Sequence, residues 1–215
     1  MNSQSLVNTA YKALKEQILC GNLMPGTMLS ENEIADELQM SRTPVRNAIT
    51  RLETEGFVQS LKNRGILVRE ISGKETIDMF ETTMAMLVYV LDMTQELGIR
   101  VNLEKLKEFV QKQIEAEEAE DYLSYMKHSM LFFKAVISSI NNQAMLDVME
   151  GYTDKLAMAA YINYLRTPYV KHYSANQLNR SILEALQAGD HEGARSIVKS
   201  FNRSVRNRII NGMLF

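Results

Sequence analysis

Ser30 and Ser41 each open an apolar pattern of helical period, and only Gln39 and Met40 stand between the first pattern and the second serine. A serine in that place caps a helix by accepting an orphan amide of the first turn, and Glu33 is spaced to complete a capping box with Ser30. The first pattern buries Ile34, Ala35 and Leu38; the second buries Val45, Ala48, Ile49 and Leu52 at i, i+3, i+4 and i+7. Pro44 is tolerated in a first turn that has no internal amide partners. The spacing predicts a helix-turn-helix. A helix over residues 5–20, with Val7, Ala10, Tyr11, Leu14 and Ile18 as its stripe, precedes it and ends near Gly21.

The other side of the Ser41 helix gathers Arg42, Thr43, Arg46, Asn47 and Thr50. Arginine can take guanine O6 and N7 together, asparagine pairs with adenine, and threonine reaches phosphate or a thymine methyl. That is the repertoire of a helix lying in a major groove of double-stranded DNA. Beyond Gly56, FVQSL and ILVREI are β-favouring runs joined by Lys62, Asn63, Arg64 and Gly65, which predicts a hairpin wing with a basic tip. Strand-like sequence is confined to residues 57–71.

The net charge of the 215 residues is −2, so no global field draws the chain to nucleic acid or to anionic membrane. The charge is placed locally instead. From Arg42 to Arg69 six basic residues face two acids, a balance of +4 where phosphate neutralisation needs it. The lone Cys20 cannot close an intrachain disulfide and suits a reducing compartment. The first residues lack a secretory pattern and no apolar run reaches the ~18 residues of a membrane span, so a cytoplasmic location is expected.

The run PGTMLSENEIADELQMSRTPVRNAITRLETEGFVQSLKNRGILV resembles the winged-helix domain of GntR-type bacterial transcription regulators. The resemblance implies DNA-contacting roles for Arg42, Thr43 and Arg46 on the recognition helix and for Arg64 and Gly65 at the wing tip. It also implies a cap near a phosphate at Ser41. Two positions depart from the pattern: Asn32 stands where many relatives carry arginine at a DNA contact, and Gln39 stands where most carry glycine in the turn. The second departure demands a turn that accepts a side chain.

The ISGK stretch, Ile71 to Lys74, ends the β-rich pattern, giving an expected winged helix-turn-helix domain over 1–73 and an all-α domain over 74–215. Helices are expected near 75–97, 102–119, 121–140, 143–166, 168–188 and 190–211. In the third, Tyr122, Met126, Ser129, Met130, Phe133, Ile137 and Ile140 share one face; the last is opened by Asp190 and closed by Gly212. The fold class is therefore mainly α, with a small β-hairpin wing.

SINNQAML and LNRSILEALQAGDHEGAR resemble the helical effector domain of the FadR group, often called FCD, and six helices resemble its shorter VanR-type branch. Many such domains hold a divalent metal with one Asp and three His. The register places those positions on Ser129, Phe133, Asn179 and Phe201, which predicts no metal and no other cofactor. His128, His172 and His191 lie elsewhere. Thr83 and Leu87 stand where metal-binding relatives carry Arg and Glu. Thr83, Leu87, Ser129, Phe133, Asn179 and Phe201 thus either border a pocket for a largely apolar effector or fill a collapsed core, and the sequence leaves both open.

The resulting expectation is a homodimeric transcription regulator, a repressor rather than an enzyme, that binds a palindromic operator and responds to an unknown small molecule. An architectural winged-helix protein without effector is the alternative. A helical-bundle metalloenzyme is disfavoured, because no histidine follows a glutamate at Glu-x-x-His spacing. The basic stripe Arg195, Lys199, Arg203, Arg206 and Arg208 reads as a solvated face or as a partner for acidic segments such as Glu115 to Asp121.

Overall fold

In a computed structural model that describes residues 3–167, 169–170 and 173–210, the chain forms two compact units, Met1–Ile71 and Ser72–Phe215. Pro168, His172 and Gly212 lie outside the described residues.

The first unit holds α1 (Ser3–Leu19), β1 (Met28–Leu29), α2 (Glu31–Glu37), α3 (Arg42–Thr54), β2 (Val58–Leu61) and β3 (Gly65–Val68). Ala10, Tyr11, Leu14 and Ile18 of α1 meet Val45, Ala48, Ile49 and Leu52 of α3, all buried, while Val7 and Leu38 are only half-buried. Ser30 accepts the Glu33 amide at 3.1 Å, but Glu33 returns no bond among the described residues. Gln39 carries the turn at φ +52°. The left-handed region costs a side-chain-bearing residue about 1–2 kcal/mol, so the turn accepts glutamine at the cost of strain.

The confinement of strand sequence to 57–71 needs correction. β1 pairs antiparallel with β3, Met28 opposite Leu67 and Leu29 opposite Ile66, so the sheet runs β1-β3-β2. Gly26 and Val68 extend the seam through bonds to Val68 O and Thr27 O, each at 2.9 Å. β1 comes so close that a Cβ on Gly65, at φ +100°, would sit 2.6 Å from the Leu29 carbonyl oxygen.

A polar knot locks α1 to α3. Glu55, just past α3, accepts from the Tyr11 hydroxyl at 2.7 Å, Lys15 at 3.0 Å and Arg51 at 3.1 Å, and the Arg51 guanidinium lies 3.6 Å over the Tyr11 ring. Burial alone would raise the Glu55 pKa, yet the bonds from Tyr11, Lys15 and Arg51 outweigh it and hold the carboxyl below its ordinary value.

The second unit holds α4 (Gly73–Glu96), α5 (Leu103–Glu118), α6 (Tyr122–Ile137) with a 3-10 turn (Ser138–Ile140), α7 (Gln143–Arg166), α8 (Ala175–Gln187) and α9 (His191–Ile210). The second unit opens on Ser72, which caps α4 and forms a full reciprocal capping box with Glu75. α6 is the central helix. Tyr125, Phe132, Ala135 and Val136 are buried along with the expected Tyr122, Met126, Ser129, Met130, Phe133 and Ile137, so its burial exceeds the single predicted face. α8 starts at Ala175, not near 168, because the Tyr125 hydroxyl accepts the Ala175 amide at 2.8 Å and caps the helix from another element. Among the described residues no helix is long and apolar enough to cross a membrane.

Two outcomes are expected of the first unit. Gly65→Ala destabilises it by about 1–3 kcal/mol in chemical denaturation, since the new Cβ meets backbone and strains φ. Because the Glu55 pKa is depressed by folding, its contribution is present above the unfolded value and fades as pH falls below about 4. Glu55→Gln flattens the acid limb of stability against pH; an identical limb in the variant removes Glu55 from that role.

Candidate functional site

The packing of α3 leaves Ser41, Arg42, Thr43, Arg46, Asn47 and Thr50 exposed, and Asn32 on α2 is exposed beside them in sequence. Ser41 occupies the cap position with extended backbone, yet its hydroxyl makes no cap bond. Thr50 turns back to its own helix and donates to the Arg46 carbonyl oxygen at 3.0 Å. Arg64 is exposed at the wing tip, whereas Gly65 is pressed against β1, which gives that glycine a structural reason of its own.

Of the basic residues counted in the local balance, two are engaged within the unit. Arg51 belongs to the Tyr11–Glu55 knot while staying exposed, and the half-buried Arg69 donates to the Gly56 carbonyl at 3.2 Å. Arg42, Arg46, Lys62 and Arg64 are exposed as well.

Glu31 is the residue that the sequence reading overlooked. Its carboxylate takes Arg46 in a two-point grip, Nε to Oε1 at 3.0 Å and Nη2 to Oε2 at 2.8 Å, and takes Arg42 Nη2 at 3.2 Å. The bond from Arg46 is the largest influence holding the Glu31 carboxyl below its ordinary range. The same fork geometry would serve a guanine edge or a phosphate. Both arginines are exposed, so the pair is weak and can be exchanged for a nucleic-acid partner. An acid at the first residue of α2, facing two arginines one helical turn apart on α3, was the available signal.

In the second unit, Ser129, Phe133 and Phe201 line an internal cavity of about 30 Å³ together with Tyr122, Met126 and Met130. Such a space holds a water or two, well below the ~300 Å³ at which ligand pockets begin. Thr83, Leu87 and Asn179 are buried but do not line it. Thr83 donates to its own helix at Met79 O, 2.9 Å away. Asn179 donates to Ser129 Oγ at 3.2 Å and to Gln113 Oε1 at 2.8 Å. Gln113, on α5, was absent from the sequence-derived set. All three polar groups are fully enclosed, and among the described residues Gln113 Nε2 and Asn179 Oδ1 have no hydrogen-bond partner. A divalent metal does not fit this set: two phenylalanines offer no donor, and the Asn179 amide nitrogen faces the serine oxygen.

Residues 6–68 match the family described as bacterial regulatory proteins, gntR family, and residues 78–203 match the FCD domain. The chain belongs to the GntR family, in its FCD-bearing branch. These are regulatory proteins rather than enzymes. An HTH-type transcriptional regulator of Agrobacterium vitis is 36% identical over 40% of this chain and 50% of its own length. The gluconate operon transcriptional repressor of Bacillus subtilis is 29% identical over 63% of this chain and 55% of its own. The chain thus spans about half the length of these two relatives. McbR of Escherichia coli is 26% identical over 91% of this chain and 88% of its own length. A structure of a GntR regulator from Rhodococcus sp. RHA1 shares the fold at TM-score 0.81 and 22% identity, covering 96% of this chain and 98% of that one.

Removing the Glu31 charge separates holding from repelling. Glu31→Gln is expected to strengthen binding to scrambled DNA in low-salt gel shifts, because one negative charge leaves the face. It is also expected to narrow the operator-to-scrambled ratio, because Arg46 loses the group that aims it. An unchanged ratio assigns Glu31 no positioning role.

Proposed function

We propose that the chain is a sequence-specific DNA-binding transcription regulator, working in the cytoplasm as a homodimeric repressor on a palindromic operator. The observation that carries this reading is the α3 surface: Arg42, Thr43, Arg46, Asn47 and Thr50 exposed together on a helix whose opposite side is buried. Arg42, Thr43, Arg46 and Asn47 are the base-reading candidates. Ser41, Asn32 and Thr50 serve phosphates or base methyls from the flanks, and Arg64 with the Gly65 backbone reaches the adjacent groove. Two copies place their recognition helices about 34 Å apart on one face of the duplex.

Repression is supported by relatives named as operon repressors, among them that of Bacillus subtilis. The FCD unit is proposed to take an effector at the cavity bordered by Ser129, Phe133 and Phe201, with Thr83, Leu87 and Asn179 buried in the same unit but outside its lining. Its apolar lining favours a largely apolar molecule that displaces Phe133 or Phe201, with Met126 and Met130 adapting. A coupling of about 1–3 kcal/mol between that site and DNA affinity makes a working switch.

Gel shifts on the DNA upstream of the chain's own gene, at stated salt, test the regulator reading. A retarded complex whose mass fits two copies on one site is expected, with Arg46→Ala weakening it by about 1–3 kcal/mol. Equal affinity for operator and scrambled DNA rejects the proposal.

A further inference from the structure

β1 covers one side of β3 and β2 the other, so the outer side of β2 has no strand beside it. The Arg69 amide donates to the Phe57 carbonyl at 2.9 Å, which sets the alternation of the β2–β3 ladder. Ser60, opposite Ile66, therefore belongs to a pair that exchanges no main-chain bond, and its amide faces off the free edge. Packing does little to hold this stretch. Val58 is the one buried residue of β2, while Gln59 and Ser60 are exposed and Leu61 is half-buried.

Glu53 supplies what the edge lacks. From the last turn of α3 the half-buried carboxylate accepts the Ser60 amide at 2.6 Å through Oε1 and the Ser60 hydroxyl at 2.8 Å through Oε2. Bonds to an ionised acceptor are shorter and about twice as strong as neutral ones. The two acids at the end of α3 thus divide the work, Glu55 binding α1 and its neighbours and Glu53 binding the wing. A negative charge in the segment whose basic residues meet phosphate opposes DNA, so electrostatics alone favours an uncharged residue at position 53. The hold on Ser60 is what the carboxylate contributes in return.

We propose that Glu53 is a positioning residue for DNA recognition: by pinning Ser60 it sets the tilt of the wing, so that Lys62 and Arg64 meet the duplex in step with Arg42 and Arg46 on the same helix as Glu53. The inference rests on the regulator reading above. The tip begins two residues beyond Ser60, ~7 Å along the strand. There the Arg64 amide donates to the Leu61 carbonyl at 3.0 Å and closes the turn, with Asn63 at φ +59°. The turn is closed on itself, so looseness at Ser60 is passed on to Arg64. A contact delivered by a loose arm costs the ordering of that arm on binding and contributes less affinity.

Substitution of Glu53 combined with removal of Arg64 tests the clamp. Glu53→Gln and Glu53→Ala remove the same charge, but glutamine keeps an acceptor for the Ser60 amide and alanine keeps none, so their comparison separates the clamp from the charge. In gel shifts of the full chain on the DNA upstream of its own gene, Arg64→Ala is expected to weaken specific binding about tenfold in the parent and in Glu53→Gln. In Glu53→Ala the same change costs less than about twofold. In the free chain, NMR is expected to show the Ser60 amide exchanging its hydrogen about tenfold faster in Glu53→Ala than in the parent. The Val68 amide, bonded to Thr27 O, stays unchanged and reports that the unit is folded. The proposal is overturned if Arg64→Ala costs as much in Glu53→Ala as in the parent, if it costs the parent nothing, or if Glu53→Gln behaves as Glu53→Ala does. Unaltered exchange at Ser60 overturns it too, and so does a Val68 amide that quickens equally, which assigns Glu53 to the stability of the whole unit. A parent that binds operator and scrambled DNA alike rejects the regulator reading itself, a result distinct from additive losses in a parent that discriminates.

Discussion

The burial of Val45, Ala48, Ile49 and Leu52 against α1 is the contact on which the first unit depends. A helix of this length can hide only one side, so hiding these four obliges Arg42, Thr43, Arg46, Asn47 and Thr50 to face water. At ~25 cal/mol per Å² of apolar surface, burial is what fixes the helix, and the Tyr11–Lys15–Arg51–Glu55 knot adds direction by pinning the end of α3 to α1. Glu31 then settles what two of the outward arginines do while no DNA is present.

The second unit is organised differently. Its centre is α6, whose tyrosines and phenylalanines fill the space between the surrounding helices: Tyr122 stacks on Tyr164 at 4.5 Å, and Tyr173 meets Tyr125 edge-on at 4.8 Å. The interior holds a polar cluster, Ser129 with Asn179 and Gln113, among largely apolar neighbours. Unmet polar atoms inside a core are costly, which marks this cluster as a place where the unit is not optimised for stability alone.

Much of this was legible in the residues. The two faces of α3, the hairpin with its basic tip, and the run of helices after residue 73 follow from period and capping, which are local properties. What escaped was non-local. Met28 and Leu29 are too few to show alternation, so β1 exists only because β3 offers an edge. α8 begins where the Tyr125 hydroxyl reaches it, and α6 is buried beyond its stripe because neighbours enclose it. Arg51 and Arg69 counted toward a basic patch, yet Glu55 and the Gly56 carbonyl engage them within the unit. Position in sequence reported their charge but not their company. For the proposed effector cavity, the sequence nominated six residues and the structure brings only Ser129, Phe133 and Phe201 to its walls. Volume depends on how side chains from several helices interlock, which spacing does not encode.

The two-residue strand β1 has a geometric consequence. It sits in the connection between α1 and α2 and is stitched to β3 by main-chain bonds, so the wing is moored to the segment that leads into the helix-turn-helix. The interval between α3 and the wing tip is therefore a dimension of the backbone and owes little to the side chains displayed on either. Substitutions at Arg42, Arg46 or Arg64 can rewrite which bases are favoured while the reach along the duplex stays constant. The unit acts as a caliper with interchangeable tips.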